Sequence, residues 1–311
     1  MGTVHAIRQE EAVTLAEASA AFLAVLDHPE SQGTRKVYGS TLRALRAEFG
    51  DGTGVAGLEA RKVAEWFTRQ WGQAAPATWN RNLDAVRSAQ RYWQDQQWMT
   101  TIDLTSALRR RQRRADRSRA LSRADVERLL TREDIAIRER VLWRLLYESA
   151  ARSAEVLRLD VEDLDLVNRR AKVTRKGGAV DIIVWQTGTA RLLPRLLKGR
   201  KSSGPVFLTD RRSRVELPPG DIDAASGKAR LSYRRAAEIF EEATAGEQGG
   251  PWTLHQLRHS ALTHDAENGA STPMLMAKSG HTSVASLARY ARPSAEALQH
   301  WQEQNDPARR R

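Results

Sequence analysis

The segment HQLRHSALTH, residues 255–264, places three histidines and one arginine within ten positions. Side chains of these types bind either a metal cation or a phosphate anion, so their spacing has to decide between the two. On a helix, His255, Arg258 and His259 share one face through i, i+3 and i+4 spacing. His264 follows His255 by nine residues, about 180° round the helix, and therefore cannot join one site with the other three.

Two features of this segment argue against a metal ion. Gln256 stands where the HExxH motif of metalloproteases has its general-base glutamate. In addition, the cationic Arg258 lies between the two would-be histidine ligands. A guanidinium fork suits the oxygens of a phosphate instead. The segment predicts an anion site with no metal and no other cofactor, and a polar surface helix is the alternative at this point.

The composition also indicates an anionic partner. The chain has 311 residues, enough for two domains, and a formal net charge of +12. Such an excess is typical of proteins that meet nucleic acid or an anionic membrane surface, and a merely soluble basic enzyme is the alternative. The chain has no cysteine, which excludes disulfides and cysteine-based zinc sites. Neither a signal peptide nor a membrane-spanning run is present, so we expect a cytoplasmic protein whose polyanion is DNA or RNA.

Residues 13–106 have a mostly helical pattern, shown best by ATWNRNLDAVRSAQRYW, residues 77–93. Thr78 is the expected N-cap of this helix. One face carries a buried apolar stripe of Trp79, Leu83, Val86 and Trp93. A neighbouring polar stripe carries Asn80, Asp84, Arg87 and Arg91. This polar stripe fits a solvated face and a face laid against DNA equally well.

An arginine-rich segment follows, with seven arginines among residues 109–119. Like charges at this density repel one another and oppose compact folding, so the segment is typical of a linker between domains. It could be a simple solvated connection. Because the chain as a whole is basic, neutralising contacts with a nucleic-acid backbone are the favoured interpretation.

The second region starts near Ser122, which is placed to cap a helix that has Asp125 in its first turn. IRERVLWRLLYES predicts the next helix. Two short β segments in AKVTRKGGAVDIIVW, residues 171–185, flank Lys176 and predict a hairpin. Residues 231–245 and 252–267 are again helical in pattern, and 219–227, which precede them, are expected to form a loop.

Four more residues could serve phosphate chemistry. Arg152 lies between two helices, with Ser153 as the expected cap of the second and Glu155 in its first turn. Lys176 stands at the hairpin tip, and His281 precedes Tyr290 by nine residues. Taken one at a time, these features are typical of a surface charge, a solvated lysine and a packed tyrosine.

Taken in chain order, the series Arg152, Lys176, HxxR at 255–258, His281 and Tyr290 resembles the tyrosine recombinase family, the phage-integrase and Xer-type site-specific recombinases. AARSAEVLRL, HQLRHSALTH and GHTSVASLARY resemble the family's catalytic boxes, and TWNRNLDAVRSAQRYW resembles its core-binding helix. The resemblance covers roughly residues 13–300. Three departures stand out: Ala151 lies where the family often has glycine, MAKSGH replaces a run of leucines, and RKGG is a short hairpin that leaves Lys172 and Arg175 as competitors of Lys176.

The resemblance implies a fold and an activity. It implies a mainly α catalytic domain with a small β-sheet (α+β) over 122–311, ending in a tail helix. An all-helical, SAM-like core-binding domain over 1–108 and the linker 109–121 would complete a two-domain clamp around DNA. The implied activity is site-specific recombination through a 3′-phosphotyrosine, without metal or ATP. A DNA-relaxing enzyme of the type IB topoisomerase class and a catalytically idle DNA-binding regulator are the alternatives.

The resemblance also implies a role for each residue. Arg152 and Arg258 would clamp the phosphate, His281 would add a hydrogen bond, Tyr290 would be the nucleophile, His255 the general base and Lys176 the general acid. Glu155 and His259 would support them. The expected DNA-binding residues are Asn80, Arg81, Arg87, Arg91, Arg109, Arg110, Arg111, Arg113 and Arg114. The expected partners are double-stranded DNA with a specific recombination site and three further copies of the chain in a tetramer on two sites, with the tail helix docked in trans. Accessory proteins stay open, and no membrane partner is expected.

Overall fold

The structure is a computed structural model of the chain, and it describes residues 12–28, 31–100, 103–112, 120–175, 178–200, 203–287, 298–299, 301–303 and 306. The chain divides into two compact units, Met1–Arg114 and Ala115–Arg311, and each has its own hydrophobic core. The division falls inside the predicted linker 109–121. The predicted domain bounds on either side of it stay predictions.

The described part of the first unit is helical. Its helices are α1 Leu15–Val25, α2 Gln32–Phe49, α3 Ala60–Trp71 and α4 Pro76–Asp95. A capping box starts α1, because the Thr14 hydroxyl accepts from the Glu17 amide and the Glu17 carboxylate accepts from the Thr14 amide. Helices α1 and α2 pack on α4, which therefore forms the centre of this unit.

The apolar stripe predicted for α4 is confirmed, since Trp79, Leu83, Val86 and Trp93 are all buried. Trp93 also donates its ring N–H to the carbonyl of Ala18 on α1 at 2.9 Å, so the buried indole keeps a partner. The stripe therefore holds α4 against α1 through the Trp93 hydrogen bond.

The predicted cap of α4 is wrong. The helix begins at Pro76 with Ala75 as its N-cap, and Thr78 lies inside the first turn. Proline has no N–H to satisfy, and its fixed φ suits the first helical position, so the helix starts three residues earlier than predicted.

The described part of the second unit is also mainly helical. Its helices are α5 Arg123–Thr131, α6 Ile137–Ser149, α7 Ser153–Leu157, α8 Thr187–Leu197, α9 Tyr233–Thr244, α10 Leu254–Glu267, α11 Thr272–Ser279 and α12 Val284–Leu287. The predicted cap of α5 is confirmed, because the Ser122 hydroxyl accepts from the Asp125 amide. Helix α6 packs against both α8 and α10, and Trp143 on α6 meets Phe240 on α9 edge to face at 5.1 Å. This core fixes the helices that carry the candidate site.

Two small antiparallel sheets complete this unit. The strands are β1 Leu164–Asp165, β2 Arg170–Thr174 and β3 Val180–Val184 in the order β1-β2-β3, and β4 Leu208–Arg212 with β5 Lys228–Arg230. The register of β2 and β3 runs from Arg170 opposite Val184 to Thr174 opposite Val180. The predicted hairpin is therefore confirmed, and its turn is closed by the Arg175 amide donating to the carbonyl of Ala179 at 2.8 Å. Lys176 itself lies outside the described residues.

The segment that enters the second unit is fastened to α10. The Leu121 amide donates to the Ser260 hydroxyl at 2.8 Å, and the Leu121 carbonyl accepts from His264 Nε2 at 3.0 Å. Arg123 adds a bond to the His264 carbonyl at 2.8 Å. The start of this unit is therefore held by the helix that carries the HxxR motif.

The mainly helical fold with a small antiparallel sheet agrees with the prediction. The predicted tail helix is described only at 298–299 and 301–303, which are helical. Its expected cap, Ser294, lies outside the described residues. Among the helices described, none is both long enough and apolar enough to cross a bilayer.

Candidate active site

Arg152 stands at the junction of α6 and α7. Ala150 ends α6 in the left-handed conformation with φ 53°, and Arg152 is extended and forms the N-cap of α7. The Glu155 carboxylate accepts from the Arg152 amide at 3.0 Å and, through Oε1, from Nη1 of its guanidinium at 2.7 Å. Glu155 is buried, whereas the Arg152 side chain is 41% exposed. A buried carboxylate therefore orients an arginine that solvent and ligand can reach.

One expectation for this junction is corrected. Ser153 is the first helical residue of α7 and is not its cap. The N-cap is Arg152, whose backbone amide donates to the Glu155 carboxylate. The glycine-like backbone of the junction belongs to Ala150 and not to Ala151. An L-residue in this conformation costs about 1–2 kcal/mol, which the surrounding contacts must offset.

Arg258 lies on α10 and is buried at 3% exposure. Its Nη1 donates to the Ala150 carbonyl at 2.5 Å, and its Nη2 donates to the Ser279 carbonyl at 2.8 Å. Nη2 also lies 3.5 Å from Nε2 of His281. The left-handed turn at Ala150 thus aims a carbonyl at Arg258, and two acceptors fix the plane of the guanidinium.

His281 follows Gly280, which ends α11 with φ 64°. The Ser279 hydroxyl donates its one proton to the Leu275 carbonyl at 2.6 Å. It therefore accepts from Nδ1 of His281, also at 2.6 Å. This network assigns the proton of the neutral ring to Nδ1 and directs Nε2 towards Arg258.

Arg175, at the base of the hairpin, joins these groups, although sequence reasoning named it only as a competitor of Lys176. Its side chain is 8% exposed, and Nε donates to Asp181 at 2.5 Å. Nη1 donates to the Ser279 carbonyl at 3.0 Å and lies 3.5 Å from Oε2 of Glu155. A guanidinium stays protonated in proteins, so a buried and paired Arg175 is unsuited to act as a general acid.

Two further observations, one on Asp181 and one on Lys172, agree with the conclusion that Arg175 is not the general acid. Burial opposes ionisation of Asp181, but the Ile182 amide and Arg175 outweigh burial and lower its pKa. Lys172 lies in β2 on the exposed face of the strand, whereas Arg175 is buried. Of the two competitors of Lys176, Lys172 is therefore exposed and Arg175 is buried.

The histidines of α10 separate as their spacing predicted. His255 is exposed one turn before Arg258, and His259 is buried next to it. His264 is buried elsewhere, with Nδ1 2.8 Å from the Tyr147 hydroxyl and Nε2 on the Leu121 carbonyl. Burial, followed by the charge of Arg123, lowers the pKa of His264. His264 therefore belongs to packing, and its neutral form is the favoured one.

The structure brings Arg152, Glu155, Arg258 and His281 into one connected cluster through the Ala150, Arg175 and Ser279 contacts. Lys176 and Tyr290 lie outside the described residues, so their roles stay predictions. Within the described ranges, no group of three or more histidine, aspartate or glutamate side chains is arranged to hold a metal ion. The cluster is cationic at the groups that a phosphate would meet.

Three of the expected DNA-binding residues serve the fold of the first unit. Asn80 is buried, and its side-chain amide donates to the carbonyl and accepts from the amide of Arg111, both at 2.8 Å. Arg111 stacks 3.8 Å over the Trp79 ring and donates to the carbonyls of residues 72 and 74. Arg87 donates to the hydroxyl of Thr105 and to a carbonyl at 108. These internal contacts weigh against DNA binding by the three side chains.

The other expected DNA-binding residues differ in placement. Arg81, Arg91 and Arg109 are exposed, and Arg110 is exposed with an ion pair to Asp84. Arg113 and Arg114 lie outside the described residues. Binding of DNA by the exposed arginines stays a prediction.

The fold and the arginine–histidine cluster define a mainly helical unit with a candidate phosphate site, in a chain that also has a helical first unit, and comparison with known proteins gives the family. The sequence profile of the phage integrase family matches residues 119–297. The chain therefore belongs to the phage integrase family, the tyrosine recombinases.

Relatives and solved structures agree with this assignment. Tyrosine recombinase XerC of Mycobacterium tuberculosis is 28% identical over 294 residues, which cover 88% of this chain and 92% of that protein. XerC of Bifidobacterium longum is 31% identical over 189 residues, 60% of this chain and 52% of that protein. A lambda integrase tetramer bound to a Holliday junction has a similar fold, with a TM-score of 0.69, 16% identity, and coverage of 91% of this chain and 78% of that chain. The Tn1549 transposon integrase in complex with transposon right end DNA gives a TM-score of 0.68 at 16% identity over 94% of this chain and 99% of that chain.

Proposed function

We propose that the chain is a site-specific DNA recombinase that cleaves and rejoins strands through a 3′-phosphotyrosine. One observation carries the proposal: Arg152 and Arg258 come from separate helices, and Glu155, Ser279 and Arg175 link them with His281 into one cluster. Two fixed guanidinium groups match the charge that phosphodiester transfer places on the non-bridging oxygens.

Cleavage starts with attack of the Tyr290 hydroxyl oxygen on phosphorus. The phenol has an ordinary pKa of about 10, so His255, exposed at the start of α10, would accept its proton. Arg152 and Arg258 neutralise the non-bridging oxygens as charge develops. His281 would donate to the same oxygens through Nε2 when its ring carries a proton on both nitrogens, because Nδ1 is committed to Ser279.

The bond between phosphorus and the 5′ oxygen breaks as the new bond to Tyr290 forms. Lys176 would give the leaving oxygen its proton, which yields a 3′-phosphotyrosine and a free 5′ hydroxyl. A 5′ hydroxyl from another strand then reverses these steps. The covalent intermediate keeps the energy of the phosphodiester bond, so rejoining needs no nucleotide hydrolysis.

Recombination requires copies of the chain on two DNA sites, and we propose a tetramer on double-stranded DNA. The solved lambda integrase tetramer on a Holliday junction supports this assembly for a protein of the same fold. Leu298 and Trp301 of the tail are 54% and 51% exposed. These apolar side chains fit the proposed docking of the tail helix on a neighbouring copy.

Mapping of covalent adducts tests the proposal directly. The purified protein is incubated with DNA that flanks its own gene, denatured, and the attached strands are sequenced. We expect 3′-linked adducts at one specific site, none with Tyr290→Phe, and undiminished adducts with the control Tyr233→Phe, whose side chain is exposed on α9. Because Tyr290→Phe removes one hydroxyl, its DNA affinity should stay nearly unchanged.

Several outcomes would reject the proposal. Adducts that persist in Tyr290→Phe would assign another nucleophile. Relaxation of supercoiled plasmid without any specific site and without strand exchange would identify a topoisomerase activity instead. Specific binding with no adduct would leave a DNA-binding regulator.

A further inference from the structure

We infer that Arg175 is a positioning residue for DNA cleavage, holding the two phosphate-clamping arginines in register by sharing one acceptor with each. This inference rests on the proposed function. It adds a residue that touches no reacting atom and acts through its neighbours. Its contacts divide into a carboxylate link and a carbonyl link.

The carboxylate link runs through Glu155. Oε1 of this carboxylate accepts from Arg152 at 2.7 Å, while Oε2 lies 3.5 Å from Arg175 Nη1. The Glu155 and Arg175 side chains are 5% and 8% exposed. Water therefore screens this pair little, and rotation of the carboxylate away from Arg175 would turn Arg152 with it.

The carbonyl link runs through Ser279. Its carbonyl accepts from Arg175 Nη1 at 3.0 Å and from Arg258 Nη2 at 2.8 Å. The guanidinium of Arg175 also fills the space over Gly280, where a Cβ would overlap it. Arg175 thus supports the backbone that leads directly into His281.

The chemistry of these partners requires arginine. Asp181 takes Nε, and the Ser279 carbonyl and Glu155 meet Nη1, so the acceptors lie on different edges of one planar group. A lysine ammonium keeps the charge but donates from a single nitrogen and cannot span them. Arg175→Lys should therefore behave like Arg175→Met, and a displacement of about 1 Å in a clamp costs about a hundredfold in rate.

The test uses a nicked duplex that carries the site found by adduct mapping, on the full-length protein in single turnover. The scissile group is either an ordinary phosphate or a methylphosphonate, in which a methyl group replaces one charged oxygen. Arg170→Met is the matched control, because Arg170 begins the strand β2 that leads into Arg175 but is exposed and pairs with Asp165.

We expect both Arg175 variants to cleave the phosphate at least about tenfold more slowly than the unaltered protein, with DNA affinity within about twofold. The loss should shrink on the methylphosphonate, which demands less charge neutralisation. Arg170→Met should match the unaltered protein on both substrates. Each preparation supplies both rates, so their ratio does not depend on the fraction of folded protein.

Three results would overturn the inference. Unchanged cleavage in both Arg175 variants would show that the clamp does not need this residue. An equal loss on both substrates would reduce Arg175 to a support of the fold. Failure of the unaltered protein to cleave would reject the proposed function and this inference with it, whereas the first two results leave that function intact.

Discussion

Substitution of Gly280 by alanine should destabilise the second unit far more than the same change at Gly269. Both glycines have a positive φ and follow a helix, with φ 64° at Gly280 and 83° at Gly269. A Cβ at Gly269 meets open space, but a Cβ at Gly280 overlaps the guanidinium of Arg175. The two positions therefore share the backbone cost and differ in what the methyl group displaces.

The backbone cost of a left-handed alanine is about 1–2 kcal/mol, which is the whole effect expected at Gly269. At Gly280 the guanidinium must also move, and losing one of its charged hydrogen bonds costs about 1.5–3 kcal/mol more. Gly280→Ala should therefore lower the free energy of unfolding by roughly 2.5–5 kcal/mol.

Equilibrium urea unfolding, followed by tryptophan fluorescence, measures both variants against the unaltered chain. In an Arg175→Met background, the extra cost of Gly280→Ala should disappear, because the displaced group is gone. Equal losses at Gly280 and Gly269 would refute the packing of Arg175 over this turn. An extra cost that survives in the Arg175→Met background would refute it as well.

Three further predictions address the pH response, the site and the DNA contacts. Because burial lowers the folded-state pKa of His264 below its ordinary value of about 6.5, its contribution to stability is present above that pH and is lost as the pH falls towards the folded value. Urea unfolding between pH 7 and 5 should show a steeper loss in the unaltered chain than in His264→Gln, and parallel curves would contradict the assignment. Glu155→Gln should slow single-turnover cleavage about tenfold or more at constant DNA affinity, because Arg152 loses its charged partner; an unchanged rate would show that Arg152 needs no such partner. Arg81→Ala should reduce the slope of log affinity against log salt by about one, whereas Arg87→Ala should lower the free energy of unfolding and leave the slope unchanged; the reverse pattern would contradict the two placements.

The sequence predicts those parts of the site that depend on local periodicity. Spacing alone separates His264 from His255, Arg258 and His259, and the structure agrees. Periodicity does not tell which part of a helical face is covered. Arg258 is buried because the Ala150 turn and the Ser279 carbonyl lie over it, while His255 on the same face is exposed.

Residues that fold back from a distant part of the chain account for what the sequence could not predict. The polar stripe of α4 has the pattern of a surface, yet the main chain at 109–111 covers Asn80. Arg175 directly precedes Lys176 and two glycines in the hairpin turn, where a solvated charge is the ordinary expectation. Its burial depends on Gly280, and the glycine-like position at Ala150 carries no glycine to announce it. The only available signal in the sequence would have been the glycine at position 280, which leaves room for the guanidinium of Arg175.

The hydrogen bonds between Leu121 and α10 determine where the junction of a chimeric protein should be placed. Leu121, which precedes the first helix of the second unit, is bonded to Ser260 and His264, on the same helix as Arg258. A foreign unit joined downstream of Leu121 would remove these hydrogen bonds from the helix that carries Arg258. A junction placed upstream of residue 120 would keep them, so the first unit could be exchanged while the helix that carries Arg258 keeps its contacts with Leu121.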